Sequence, residues 1–352
     1  MSTVSPRAAE RRATSRGPAS AGSAARWAGL PVAVLVLGLA VLLSLMVGAK
    51  ALSPDTVLSA LFDADGSDVQ AIVRDSRLPR TVVGLVVGPA LGVCGALIQA
   101  FTRNPLADPG ILGVNAGATF AVTIGVGLLG IRGPLVYVWF ALAGALVVTL
   151  VVYLIGATGP RGPSAGRMTL AGVAIGAVLS GVTSIVMLKN MEVFSTLRFW
   201  GLGSLGGRDE AAVAIIAPFL AVGLLISFLI ARPLNAIALG DDLGRTLGAG
   251  LVRTRVWAVV GVTVLAGGAT ALAGPIAFIG LMVPHAVRWF TGPDQRWIIV
   301  YSALVAPSML LLSDVIGRVV LPSGELQVSI VTAVVGAPIL VLLARRRKVS
   351  GL

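Results

Sequence analysis

Long apolar runs separated by short polar loops recur about ten times along this chain of 352 residues. A helix needs ~20 mainly apolar residues to cross a hydrocarbon core of ~30 Å at 1.5 Å per residue. Runs of about that length lie at 28–49, 81–101, 112–130, 133–156, 169–188, 211–231, 256–273, 275–290, 297–316 and 328–344. With the N-terminus placed in the cytoplasm, alternate loops and flanks carry 18 Lys+Arg and 5 acids on the inner side, against 9 and 10 on the outer side. That bias places both termini in the cytoplasm. The pattern predicts an all-α polytopic membrane protein with about ten transmembrane helices.

Composition closes off the alternatives. At 56% hydrophobic and 12% charged residues, with a mean hydropathy of +0.95, too little polar surface remains for a soluble globule. The net charge of +12 is absorbed by loop flanks that orient the spans, and no basic segment carries the interleaved aromatics that stack bases, so no nucleic-acid partner is expected. Residues 1–26, rich in Ser, Ala and Arg, read as a disordered cytoplasmic tail beside anionic lipid. A single membrane domain then covers 27–346, and 347–352 form a second short tail. Cys94, the one cysteine, falls inside the second span, which excludes intrachain disulfides and cysteine zinc sites.

Glycines repeat every four residues at Gly84, Gly88 and Gly92, at Gly113 and Gly117, and at Gly172 and Gly176. Each set lines one helix face and predicts close backbone approach within the bundle.

Several chemistries are missing. Ion-coupled carriers keep carboxylates or a His relay at mid-membrane, and here only Asp314 comes near, toward the outer end of the ninth span, with Arg318 one turn on as its partner. None of Lys50, Lys189 and Lys348 sits in a phosphate-cradling loop, so the chain does not hydrolyse ATP by itself. Gly201-Leu202-Gly203-Ser204-Leu205-Gly206 matches a dinucleotide fingerprint but lies in an outer loop behind no strand. With one histidine, His285, and no H-E-x-x-H, an intramembrane enzyme is disfavoured and no metal site is predicted. Uphill transport would therefore need energy from another polypeptide.

Two inner loops stand out. The longer, about 232–252, contains Leu239, Gly240, Asp241, Asp242, Leu243, Gly244, Arg245, Leu247 and Gly248. Its acidic start and leucines four apart read as a short amphipathic helix, facing either a partner groove or lipid. The other, Arg103-Asn104-Pro105-Leu106-Ala107-Asp108-Pro109-Gly110, breaks the second span with two prolines.

Those loops, with Arg77-Leu78-Pro79-Arg80, Gln99, Leu112-Gly113-Val114-Asn115-Ala116-Gly117, Gly274-Pro275-Ile276-Ala277-Phe278-Ile279-Gly280, Pro284-His285 and Gly336-Ala337-Pro338, resemble in order the FecCD-type permease subunit of iron-siderophore and cobalamin ABC importers. The wording around Val114 to Gly117 is most similar to permeases for ferric enterobactin-like siderophores. The resemblance implies a type II ABC importer permease fold in the cell membrane, and a second copy or related permease as partner. It further implies two cytoplasmic ATPase subunits that use ATP and Mg, an extracytoplasmic substrate-binding protein, and no cofactor on this chain. By motif, Leu239 to Gly248 would couple to the ATPase, Arg77, Arg80 and Arg318 would dock the binding protein, and Ser164, Ala165 and Gly166 would gate the inner mouth. Pro284 and His285 would form an inner cap or ATPase contact. Ferric siderophore is the first cargo expected, then cobalamin, then haem. An ion-coupled secondary transporter remains the alternative of another class.

Overall fold

The computed structural model describes residues 19–63, 66–158, 165–238, 240, 250–321 and 324–345. Each of the ten apolar runs contains a helix, and among the described residues there is no strand. In chain order the helices are α1 (Ala19–Met46), α2 (Pro54–Phe62), α3 (Asp68–Ala71), α4 (Leu78–Thr102), α5 (Val114–Leu129), α6 (Pro134–Ala157) and α7 (Ala165–Lys189). They continue with α8 (Met191–Trp200), α9 (Glu210–Ala238), α10 (Leu251–Ala273), α11 (Ile279–Thr291), α12 (Gln295–Val319) and α13 (Val328–Arg345). A π-helical turn, Ile72–Arg77, joins α3 to α4 without a break.

Four features depart from the sequence expectation. Helix α1 begins at Ala19, so residues 19–26 of the expected tail are helical. The short helices α2, α3 and α8 lie between spans; Ser53 and Asn190 cap α2 and α8 by accepting hydrogen bonds from backbone N–H groups. The α2 region encloses a small core of its own with Leu45, Leu52, Val57, Ala60 and Val73. Among the described residues seven helices are long and apolar enough to cross a bilayer, but α5 has only 16 residues and α11 only 13. The run 275–290 is therefore not one helix: 274–278 are non-helical and only the rest is α11.

Helix α4 is the centre of the bundle, packing on α9, α10, α11 and α12. Its glycines explain how. Gly88 and Gly92 lie against the backbone of α12 at Pro307 and Ser302, Gly84 takes the Leu311 side chain, and Gly95 receives the Gly280 carbonyl of α11. Lipid tails offer helices no hydrophobic drive to associate, so this close van der Waals contact is what holds α4 in place. Cys94 is fully buried on the same helix, its thiol directed at the Val262 carbonyl.

The second to fifth spans and the seventh to tenth repeat one contact plan. The pairs α4–α12, α5–α6, α6–α7, α5–α7 and α10–α5 are matched by α10–α6, α11–α12, α12–α13, α11–α13 and α4–α11, with α4 against α10 at the centre. Because each half contributes five crossings, the second half has the opposite orientation, and the halves form an inverted repeat.

Candidate transport site

Both short helices begin deep inside the bundle. Gly280, in the first turn of α11, touches α4 at Leu91 and Gly95, about halfway along that helix. Gly113 and Gly117, at the start of α5, touch Val148 and Gly144 halfway along α6. Each half thus contains a crossing made of an irregular lead and a half-helix. The leads are 103–113, which follows the C-terminal end of α4, and 274–278, which follows that of α10.

Backbone geometry at the two breaks corresponds position by position. The residue closing α4 is Arg103, at φ 52°, and the one closing α10 is Gly274, at φ 78°; α5 opens on Gly113 at φ 74° and α11 on Phe278 at φ 70°. Arg103 and Phe278 are the non-glycine residues with positive φ among those described. Each carries a strain of order 1 kcal/mol that its surroundings must offset. Phe278 is held by its ring against Gly336 of α13, and Arg103 by donating from Nε to the Ile237 carbonyl at 2.8 Å.

A matched pair of side chains ties each of these full helices to the half-helix of the other half. In the last turn of α4, Gln99 donates from Nε2 to the Leu281 carbonyl at 3.0 Å; in the last turn of α10, Thr270 donates to Asn115 Oδ1 at 2.8 Å. Asn115 therefore belongs to the buried break and not to the inner loop. Within the first lead, Asn104 accepts from the Leu106 N–H at 3.0 Å and Asp108 from the Gly110 N–H at 2.7 Å, while Pro109 packs against Gly280. These internal bonds replace water for a loop that re-enters apolar surroundings. Replacing Gln99 by Leu or Thr270 by Val should cost about 1–2 kcal/mol each. Thermal unfolding midpoints in detergent measure this, and an unchanged midpoint in both variants removes the tethers from the stability of the breaks.

The outer arginines divide. Arg77 and Arg318 are 4% and 5% exposed, and so do not face outward as the docking role requires. Arg77 donates to the Leu45 carbonyl at 2.8 Å and to that of Lys50; Arg318 donates to the Ser44 carbonyl at 2.7 Å and forms a buried pair with Asp314, Nε to Oδ2 2.8 Å. The Leu45 and Ser44 carbonyls belong to the open C-terminal end of α1 and that of Lys50 to the segment just after it, so two cations there satisfy groups that the helix end leaves unbonded. Motif position alone did not reveal this capping. Arg80 is different: it pairs with the half-exposed Glu325 at 2.6 Å and stays at the outer surface.

Beside Arg80, the loop 201–207 dips inward. Gly203 meets the Pro275 carbonyl, Leu205 is buried, and the Ser204 N–H donates to the Ala273 carbonyl at 2.8 Å, so the apparent nucleotide fingerprint is a plug over the end of α10. Arg208 completes it by donating to the Ser204 and Ala273 carbonyls at 3.0 Å. Burial pushes its guanidinium down to about 10, which leaves it charged at neutral pH.

At the C-terminal end of α4, Arg103 reaches the end of α9 as described, and Asn235 of α9 donates to Asp294 and accepts from the Gln295 N–H, both at 2.8 Å. The stem of the 232–252 loop is therefore fastened to α4 and to the start of α12. Of the loop itself Gly240 is described, at φ 111°, while Leu239, Asp241, Asp242, Leu243, Gly244, Arg245, Leu247 and Gly248 lie outside the described residues. Ser164 also lies outside them, and Ala165 and Gly166 open α7, with Gly166 exposed. His285, which follows Pro284 within α11, is buried edge-on to Trp289 with ring centroids 5.9 Å apart. Among the described residues no three His, Cys, Asp or Glu side chains gather as a metal site would need.

Sequence reasoning missed Thr270, Asn235 and Arg208, and carried Phe278 only within the Gly274 to Gly280 motif. Only Gly274-Pro275 signalled the second break. A helical bundle with two inverted halves, each broken at mid-depth, defines a multi-pass membrane transport protein. The FecCD transport family model matches residues 35–346, and the chain belongs to that family. It is 47% identical over 323 residues to the ferric enterobactin transport system permease protein FepD of Escherichia coli (strain K12), covering 92% of this chain and 96% of that one. It is 37% identical over 313 residues to the Fe(3+)-citrate import system permease protein YfmD of Bacillus subtilis (strain 168), covering 89% and 92%. In fold it is similar to a metal-chelate type ABC transporter solved in an inward-facing conformation, with a TM-score of 0.78, 23% identity, and coverage of 92% and 99%.

Proposed function

We propose that this chain is the transmembrane permease subunit of an ATP-binding-cassette importer that takes up ferric siderophore. Hydrolysis of ATP with Mg would take place on two separate cytoplasmic subunits, and cargo would arrive on an extracytoplasmic binding protein. The observation that carries this reading is the 47% identity to a ferric enterobactin permease along nearly the whole of both chains. The acids support it too: among the described residues Asp314, the acid buried within a full-length helix, is held by Arg318 near one end of that helix, which leaves it ill-suited to bind and release a coupling ion.

In this reading residues 239–248 insert into the ATPase. A pull on them passes through Arg103 to α4 and through Asn235 to α12, so the two halves shift about their broken crossings. Nucleotide binding and cargo release then share one coupling free energy, and each must bias the other equally. On the outer face, a binding-protein carboxylate would compete with Glu325 for Arg80, which steers docking more than it adds affinity. Two copies of the chain, or this chain and a related permease, would line the path, with Ser164, Ala165 and Gly166 at its inner mouth and all termini in the cytoplasm.

Reconstitution tests the reading. Liposomes holding permease, ATPase and binding protein should accumulate radiolabelled ferric siderophore only with ATP, and permease alone under a proton gradient should accumulate none. Uptake by the permease alone would overturn it. Charge reversal at Asp241 and Asp242 combined with Leu247→Asp should abolish co-purification of the ATPase without affecting membrane insertion; undiminished co-purification removes the coupling role.

A further inference from the structure

Between the inner ends of α9 and α10 lies a cavity of about 650 Å³ that the transport reading does not use. Arg232 and Arg253 line it from opposite helices, both exposed. Arg80, Arg132, Arg296 and Arg318 each lie within salt-bridge distance of a carboxylate, but among the described residues no ion pair or hydrogen bond engages the side chain of Arg232 or Arg253. Two exposed cations on one cavity give it a positive rim, for which an anion is the complementary occupant.

The rest of the lining says what kind of anion fits. Ile226, Leu229 and Ile230 lie on α9 within about two turns of Arg232 toward the membrane interior, and Trp257 lies one turn deeper than Arg253 on α10. Leu229 is 70% exposed and Trp257 41%, so the floor of the cavity opens sideways onto the hydrocarbon. Cations at headgroup depth, an amphipathic Trp at the interface and an apolar floor below follow the profile of a phospholipid from phosphate to acyl chain. A small inorganic anion would have no use for the lower half.

We propose that the groove between α9 and α10 is a binding site for one anionic phospholipid, its phosphate held between Arg232 and Arg253 and an acyl chain lying over Leu229 and Trp257. The two helices are the stems of the 239–249 segment. A lipid bound by both would fasten the stems together from the membrane side, complementing the polar links of Arg103 and Asn235 on the protein side. The site stands on charge and shape alone and does not depend on which cargo the protein carries.

The test uses the full-length protein, delipidated in neutral detergent, with phosphatidylglycerol as probe and phosphatidylcholine and inorganic phosphate as comparisons. Phosphatidylglycerol should raise the unfolding midpoint and be retained as a one-to-one adduct in native mass spectrometry, while the two comparisons do neither. The double variant Arg232→Gln with Arg253→Gln should fold normally, because both side chains are exposed and unbonded, and should lose phosphatidylglycerol affinity by about tenfold or more. The corresponding double Lys variant should keep most of it. Wild-type retention in the Gln variant, or an equal shift with phosphatidylcholine, overturns the site. A matching shift with inorganic phosphate overturns its assignment to lipid.

Discussion

Gly95→Ala, the addition of a single methyl group, should destabilise the folded protein by roughly 3 kcal/mol or more and sharply lower the yield of monodisperse protein after extraction. A Cβ at residue 95 would run into the Gly280 carbonyl oxygen, and the carbonyl carbon and Cα lie just behind it. That neighbour is backbone in the first turn of α11, held on its far side by Pro109 and fixed by Gln99, so it cannot yield as a flexible side chain would. Two comparisons isolate the cause. Gly84→Ala meets only the ends of Leu311 and Leu205, which can rotate, and Gly38→Ala in α1 meets nothing within 4 Å. Gly38→Ala should be neutral or stabilising by up to about 1 kcal/mol, as expected for Ala over Gly in a helix. Size-exclusion profiles and unfolding midpoints of the three variants provide the measurement; a Gly95→Ala protein as stable as Gly38→Ala would show that α4 and α11 are not in backbone contact.

The second large effect is expected at Asp314 and Arg318. Their side chains are only 6% and 4% exposed, so removing either charge strands the other in a low-dielectric interior, at a cost of about 3–5 kcal/mol. Asp314→Leu and Arg318→Met should each lower the unfolding midpoint strongly. The double variant should be less damaging than the sum, because no lone charge remains. It should still fall short of wild type, since Arg318 also bonds the Ser44 carbonyl and Ser44 Oγ at the end of α1. Additive losses in this cycle would refute the pair as a coupled unit. A double variant equal to wild type would deny the capping of α1. If Arg318 instead served only to dock a partner, binding would fall and the midpoint would not move.

The contrast between these two sites shows where sequence reading succeeds. The Gly84, Gly88 and Gly92 stripe is legible because helical periodicity is local, and it does face one neighbour, α12. The pairing of Asp314 with Arg318 is legible for the same reason, one turn apart on one helix. Arg77 misleads because its environment is supplied by a chain segment some thirty residues away in sequence, the end of α1. Thr270 with Asn115 and Gln99 with Leu281 are more distant still, and no local pattern announces a hydrogen bond between helices from opposite halves.

By itself, the sequence determined the membrane environment, the number and order of apolar runs and the small-residue faces. Those properties are sums over local side chains: transfer free energy per residue and helical period. Only the tertiary structure decided that the third and eighth runs are half-helices meeting their neighbours at mid-depth, that two of the three outer arginines point inward, and that the fingerprint-like loop is a plug. An apolar run reads the same whether it crosses the bilayer or starts halfway. What distinguishes the two is whether its unbonded backbone groups find partners in another helix, and that depends on how the whole bundle packs.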